Sequence, residues 1–229
     1  MYRKFFKAAI LSVFIQSISA HAGIVIESTR YLYKEGAREI LAQVENKDDM
    51  SYLIKSWVEM PEGKAPSFMA TPPLFRLDTK QKNTVRVFST DKVDAPADRE
   101  SIYFFNIMAI PPSDDSYTNS NTIQLAVRHR MRLIYRPKSL FALSNNEEAK
   151  KIEWRKNGSK LIIKNTTPFF YYFNSVRLGN QELKNEIGSI APFATKEITL
   201  KTESKSASGI SWKIVNDYGG AGSIYTSSL

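Results

Sequence analysis

Cysteine is absent from this 229-residue chain, which removes disulfides, thiolate nucleophiles and cysteine-held zinc or iron–sulfur centres together. Histidine is nearly absent, with only His21 and His129. A Ser-His-Asp triad or a multi-histidine metal centre is therefore all but excluded, while carboxylate-only chemistry of the glycosidase kind is not. There is no phosphate loop, no EF-hand pattern, no strong internal repeat and no low-complexity tract. No cofactor and no metal are expected. What the chain does have is an excess of basic residues, 32 against 23 acidic for a net charge of +9, and aromatics at 12%, which with many β-branched residues argue against disorder.

Three of the basic residues, Arg3, Lys4 and Lys7, fall where no acid offsets them. They precede the apolar stretch Ala8 to Ile15 and the small-x-small triplet Ala20-His21-Ala22, the three parts of a secretory signal cleaved after Ala22. An N-terminal membrane anchor is the alternative, but the apolar run is well short of the ~20 residues that span a bilayer. No later segment is long and apolar enough either, so no stable membrane insertion is expected. Without the leader the chain carries 29 basic and 23 acidic residues, a net of +6.

From Gly23 onward apolar residues alternate with period two, as at Ile40, Ala42 and Val44, and turn-forming clusters such as Asn46 to Asp49 recur at short intervals. Strands are expected at 24 to 33, 39 to 45, 52 to 59, 83 to 89, 101 to 109 and 122 to 135, with 66 to 77 broken by Pro66, Pro72 and Pro73. About seven strands over this length suit an antiparallel sandwich of the immunoglobulin kind. Pro137 and the polar run Asn145 to Glu148 then interrupt the pattern. It restarts at Ile152-Glu-Trp154 and 161 to 164, and continues at 169 to 173, 196 to 200 and 210 to 215. The expected organisation is a signal peptide at 1–22 and two all-β, immunoglobulin-like sandwich domains at 23–140 and 141–229.

The segment from Asn121 to Tyr135 is the most informative. Its odd positions, Ile123, Leu125, Val127, His129, Met131, Leu133 and Tyr135, are largely apolar, while Arg128, Arg130 and Arg132 share the other face. At about twice the usual strand length, one end is expected to project beyond its own domain, where an apolar edge requires a partner. The plainer reading is a half-buried strand with a basic solvent face.

Taken together, Ser28-Thr-Arg30, Thr71-Pro-Pro-Leu-Phe-Arg-Leu77, Tyr135-Arg136-Pro137 and Asn216-Asp-Tyr-Gly219 occur in an order that resembles the periplasmic pilus-assembly chaperones of the chaperone/usher pathway. The likeness spans essentially the whole chain after the leader. It implies two immunoglobulin-like domains set in an L shape and a non-enzymatic protein of the periplasm. Its implied partners are fimbrial subunits, which it binds and caps by donor-strand complementation, and an outer-membrane usher. Self-association of the free chain, covering its own donor strands, is allowed. The short 110-to-123 hairpin and the lack of a cysteine pair or long N-terminal extension resemble the short-loop branch.

The resemblance also assigns residues. Arg30 and Arg132 correspond to the pair that anchors a subunit's terminal carboxylate, with arginine at 132 where the family pattern has lysine, and with neighbouring Arg130 an alternative second anchor. Ile123, Leu125 and Val127 correspond to the donor strand. Glu100, Arg136 and Asp217 correspond to an interdomain ionic cluster. His129, Trp57, Trp154, Trp212 and Gly219-Gly220 are read as packing or turn residues.

Two other classes compete. An exported β-sandwich that binds glycans or polyanions would use the aromatics and the Arg128-Arg130-Arg132 stripe over a broad, salt-sensitive surface, whereas a terminal carboxylate needs one deep pair. The chaperone reading carries no nucleic-acid partner. A glycosidase built on Asp98 and Glu100 is disfavoured, because neighbours in a strand point to opposite faces.

Overall fold

The computed structural model describes residues 23–59, 67–90, 93–112, 124–200 and 208–229. The expected leader, the hairpin tip and Ile123 lie outside the described residues.

Two separate apolar cores organise the chain, one drawn from residues between Tyr33 and Tyr135 and one from residues between Leu140 and Tyr225. The first is a sandwich of two sheets. One sheet has strand order β1 (Ile24–Ile26), β3 (Ile40–Asn46), β7 (Lys82–Ser89), β5 (Phe68–Thr71). The facing sheet runs β2 (Arg30–Lys34), β9 (Val127–Arg136), β8 (Ser101–Ile110), β4 (Tyr52–Glu59), β6 (Leu74–Leu77). Alternation explains the packing: Ala42 and Val44 of β3, Ile54 and Val58 of β4, Val85 and Val87 of β7 and Tyr103, Phe105 and Ile107 of β8 all point inward. Edge-to-face aromatic contacts of Phe68 with Tyr33 and Tyr103, at 4.9 and 4.8 Å, close the centre.

The second sandwich pairs a sheet of β10 (Glu153–Asn157), β11 (Lys160–Lys164) and β15 (Thr195–Thr199) with a sheet of β12 (Tyr171–Leu178), β13 (Gln181–Glu182), β16 (Gly209–Val215) and β17 (Ala221–Ser228), with β14 (Ser189–Ile190) also on β12. Trp154 packs on Trp212 at 5.3 Å between the sheets. Two one-turn helices, α1 (Asn145–Glu148) and α2 (Lys184–Ile187), complete it. Ser144 caps α1 through its side-chain oxygen.

The single strand expected at 24 to 33 is two. Residues 24–26 pair antiparallel with β3 in one sheet, and after the Glu27-Ser28-Thr29 crossover β2 pairs parallel with β9 in the other. Ser28 makes the switch local, since its hydroxyl donates to Arg30 O at 2.6 Å. The long strand begins at Val127 rather than 122, with Gln124 to Ala126 left outside the ladder. Strand β12 runs from Tyr171 to Leu178 where 169 to 173 was expected, and β13, β14 and β17 extend the second domain beyond the expected set. Trp57 is not a core residue. It lies half-buried on the outer face of β4 beneath Arg128 and Lys55, at 5.0 and 5.5 Å.

Candidate functional site: an open strand edge ending at paired arginines

Strand β9 is covered on one side by β8 along its length, from Ala109↔Val127 to Ser101↔Tyr135. On its other side β2 covers only residues 132 to 136, beginning at Arg30↔Arg132. Among the described residues no strand pairs with the remaining edge, Val127 to Met131. The Arg132 N–H points away from β8, donating to Thr29 O at 3.2 Å. Strand alternation therefore aims the N–H groups of Arg130 and Arg128 at the same open edge.

The side chains along this edge carry the apolar stripe out of the core. Met131, Leu133 and Tyr135 are buried in the first sandwich, yet Val127 and Leu125, on the same face, are 54% and 74% exposed. Of the three expected donor positions, these two project beyond the core, and Ile123 lies outside the described residues.

At the closed end the edge meets two guanidinium groups. In-register pairing puts Arg30 and Arg132 side by side on one face, although Arg30 is 6% exposed and Arg132 half-buried. Arg30 Nη1 donates to Val215 O (2.9 Å) and Asn216 O (2.7 Å) of the second domain, leaving Nε and Nη2 for other acceptors. Both arginines lie against the ring of Tyr172 from β12, at 5.2 Å for Arg30 and 4.0 Å for Arg132. Burial, and then the neighbouring Arg132 charge, hold Arg30 below the usual arginine pKa. Burial pushes the Tyr172 hydroxyl up against the opposing pull of Arg132. Among the described residues neither arginine has a carboxylate partner. Two crowded cations with unused donors are chemically able to accept one anionic group, and a carboxylate suits a guanidinium fork.

Arg130, the alternative anchor, is differently placed. Its guanidinium lies 3.4 Å from the centre of the Phe104 ring and its Nε donates to Glu59 Oε1 at 2.9 Å. Arg128 shares that oxygen at 2.6 Å and also holds Asn106 Oδ1. Arg132 is thus the one arginine of the stripe without an acid, among the described residues.

The third expected group is in contact across the domain junction. Arg136 donates to Glu100 Oε1 through Nε at 2.8 Å and forks onto both oxygens of Asp217 at 2.7 Å. Glu100, 2% exposed, also accepts from Phe170 N at 2.8 Å through its other oxygen. Burial raises the Glu100 pKa despite Arg136. Burial also works against the charged form of Arg136, but the hydrogen bonds to Asp217 and the Glu100 charge outweigh it and raise its pKa. The turn that presents Asp217 is held by Asn216, whose Oδ1 accepts from Tyr218 N and Gly220 N, with Gly219 at φ +87°.

Sequence reasoning missed Tyr172 and Glu59. A signal for Tyr172 was there: Tyr171 and Phe173 alternate into the core, so Tyr172 faces the other way. Nothing in the sequence links Glu59 to arginines some seventy positions later.

Residues 23–141 match the family model described as "Pili and flagellar-assembly chaperone, PapD N-terminal domain", and residues 147–225 match "Pili assembly chaperone PapD, C-terminal domain". The Escherichia coli K12 chaperone protein FimC is 37% identical over 202 residues, covering 87% of this chain and 82% of the relative. The Escherichia coli chaperone protein FocC is 34% identical over 209 residues, with 90% of each chain covered. Among solved structures, the E. coli chaperone DraB superposes with a TM-score of 0.79 at 31% identity, covering 90% of this chain and 98% of that one. The SafB–SafA chaperone–pilin complex of Salmonella enterica gives a TM-score of 0.80 at 26% identity over 90% of this chain and 96% of that one.

Proposed function

The chain belongs to the PapD-type pilus-assembly chaperones, and from that premise we propose that it binds fimbrial subunits in the periplasm by lending them the open edge of β9. It is a chaperone, not an enzyme. The observation that carries the mechanism is the stretch from 124 to 131, where unpaired N–H groups and exposed Leu125 and Val127 coincide. A subunit strand laid there gains backbone hydrogen bonds along its length and fills its own apolar groove with alternate donor side chains, Ile123, Leu125 and Val127. Because β2 runs parallel to β9 and begins at Arg30, an incoming strand running the same way ends where β2 starts. Its terminal carboxylate then lies between Arg30 and Arg132.

The Glu100–Arg136–Asp217 contact fixes the angle between domains, and so the distance between Tyr172 and the arginine pair. A buried ionic group of this kind is better suited to setting geometry than to adding stability. In this reading residues 1–22 act as the export signal, the domain division falls near 140, the shortness of the 110-to-123 segment in the sequence supports the short-loop branch, and capped subunits pass to an outer-membrane usher.

Co-expression with candidate fimbrial subunits and pull-down from periplasmic extract tests the reading. Subunits are expected to be soluble and captured only when this protein is present. Subunits equally stable without it would overturn the proposal.

A further inference from the structure

Arg128, Arg130 and Arg132 stand at alternate positions on one face of β9, roughly 7 Å apart in steps of two residues. A strand bound along the open edge can slip by two residues without changing which side chains face the groove, since only odd shifts exchange the faces. Its backbone hydrogen bonds are also restored, because the ladder repeats every two residues. The terminal carboxylate is then the group able to choose among registers, and three open arginines in a row would accept it at any of them.

The three are not equally open. Glu59 Oε1 takes Arg128 Nη2 at 2.6 Å and Arg130 Nε at 2.9 Å, while Arg132 has no carboxylate partner among the described residues. A second carboxylate arriving at Arg130 would meet the Glu59 charge as well as the guanidinium. Burial favours protonating Glu59, but its hydrogen bonds from Arg130 and Trp57 and the two arginine charges outweigh this and hold it below the usual carboxylate range. The lock therefore stays charged through neutral and mildly acidic pH.

We infer that Glu59 sets the register of the bound strand, closing Arg128 and Arg130 to the incoming carboxylate so that only the Arg30–Arg132 end accepts it. The mechanism is repulsion of a wrong partner rather than attraction of the right one. It rests on the carboxylate-anchoring role proposed above for Arg30 and Arg132.

The test uses the full chain and a synthetic strand-forming peptide with valine at alternate positions, a free C-terminal carboxylate and a photoreactive group near its middle. Mass spectrometry of the cross-linked product reads which residue of β9 is labelled. Wild type is expected to give one labelled position. Glu59→Gln is expected to give a second, two residues nearer the hairpin, and Arg130→Ala in the Glu59→Gln background to remove it. Glu59 side-chain exposure is 31%, so the substitution falls at the surface, and Glu59→Ala provides a second variant whose fold is checked by circular dichroism. A single unshifted label in either correctly folded Glu59 variant overturns the inference. The same peptide with a C-terminal amide separates the two levels: if it labels wild type as the acid does, the anchoring role itself fails and the register lock with it.

Discussion

Replacing Leu125 with glutamate should abolish subunit binding while leaving the free chaperone as stable as wild type. Leu125 is 74% exposed and outside the β8–β9 ladder, so the free chain loses almost no buried area. In the complex the same side chain is proposed to enter an apolar pocket. Losing it forfeits about 1.5–3 kcal/mol of burial, and placing an unpaired carboxylate there costs several kcal/mol more. Even a combined penalty of about 4 kcal/mol is roughly a thousandfold in Kd. Ala126, next along the chain and also exposed, faces the opposite way, so Ala126→Glu is expected to change Kd by less than about tenfold. Calorimetric titration of a captured subunit, with thermal unfolding of each free variant, measures both halves. Equal losses from the two substitutions would refute the parity argument, and a collapse of free-state stability in Leu125→Glu would show that the side chain packs at home rather than in a partner.

Other outcomes follow from the junction and the anchor. Arg136→Ala strands the buried Glu100 beside Asp217 and is expected to cost about 3–5 kcal/mol, with a broadened small-angle scattering envelope, while Glu100→Gln is milder; equal unfolding temperatures would contradict this. Because burial raises the Glu100 pKa, the folded state holds that proton when the unfolded state has lost it, so stability from this group falls as pH rises through the window above 4.5. Wild type should gain on Glu100→Gln as pH drops from 7 toward 4.5, and a gap moving the other way would reverse the assignment. Arg132→Lys, a return to the family pattern, gives up the planar contact with Tyr172 and is expected to weaken subunit binding about two- to fivefold; in a Tyr172→Ala background it should cost nothing further, and full additivity would remove Tyr172 from the site. Arg30→Ala is expected to lower both subunit capture and the unfolding temperature, since Arg30 also ties the first domain to the Val215 and Asn216 carbonyls; a capture-defective variant with unchanged melting would show those bonds to be idle.

Alternation made the β-rich halves and the two faces of β9 readable from the sequence, because period two survives whatever the strand pairs with. Motif likeness brought Arg30, Arg132, Glu100, Arg136 and Asp217 into consideration, and the structure places each group in contact. The crossover at Glu27 to Thr29 was not readable: β1 (Ile-Val-Ile) and β2 (Arg-Tyr-Leu-Tyr-Lys) are both strand-forming and only three residues apart, and what separates them is which sheet each edge meets. Arg30 was read as a binding residue alone, yet its carbonyl contacts lie some 185 positions away in the second domain. Glu59 was invisible for the same reason, and for Tyr172 alternation gave the face but not the role, since each acquires its role from strand register and domain angle rather than from neighbours in the chain. The choice between Arg130 and Arg132 likewise depends on Glu59, a residue on a strand that does not adjoin β9.

Amide hydrogen exchange along β9, residue by residue, in the free chaperone and in a subunit complex tests the open edge most directly. The N–H groups of Arg128 and Arg130 should exchange fast in the free protein and become strongly protected in the complex, while those of His129 and Met131, already facing β8, change little. Protection that leaves Arg128 and Arg130 untouched, or that falls on both sets alike, would contradict the claim that this edge is lent to the subunit.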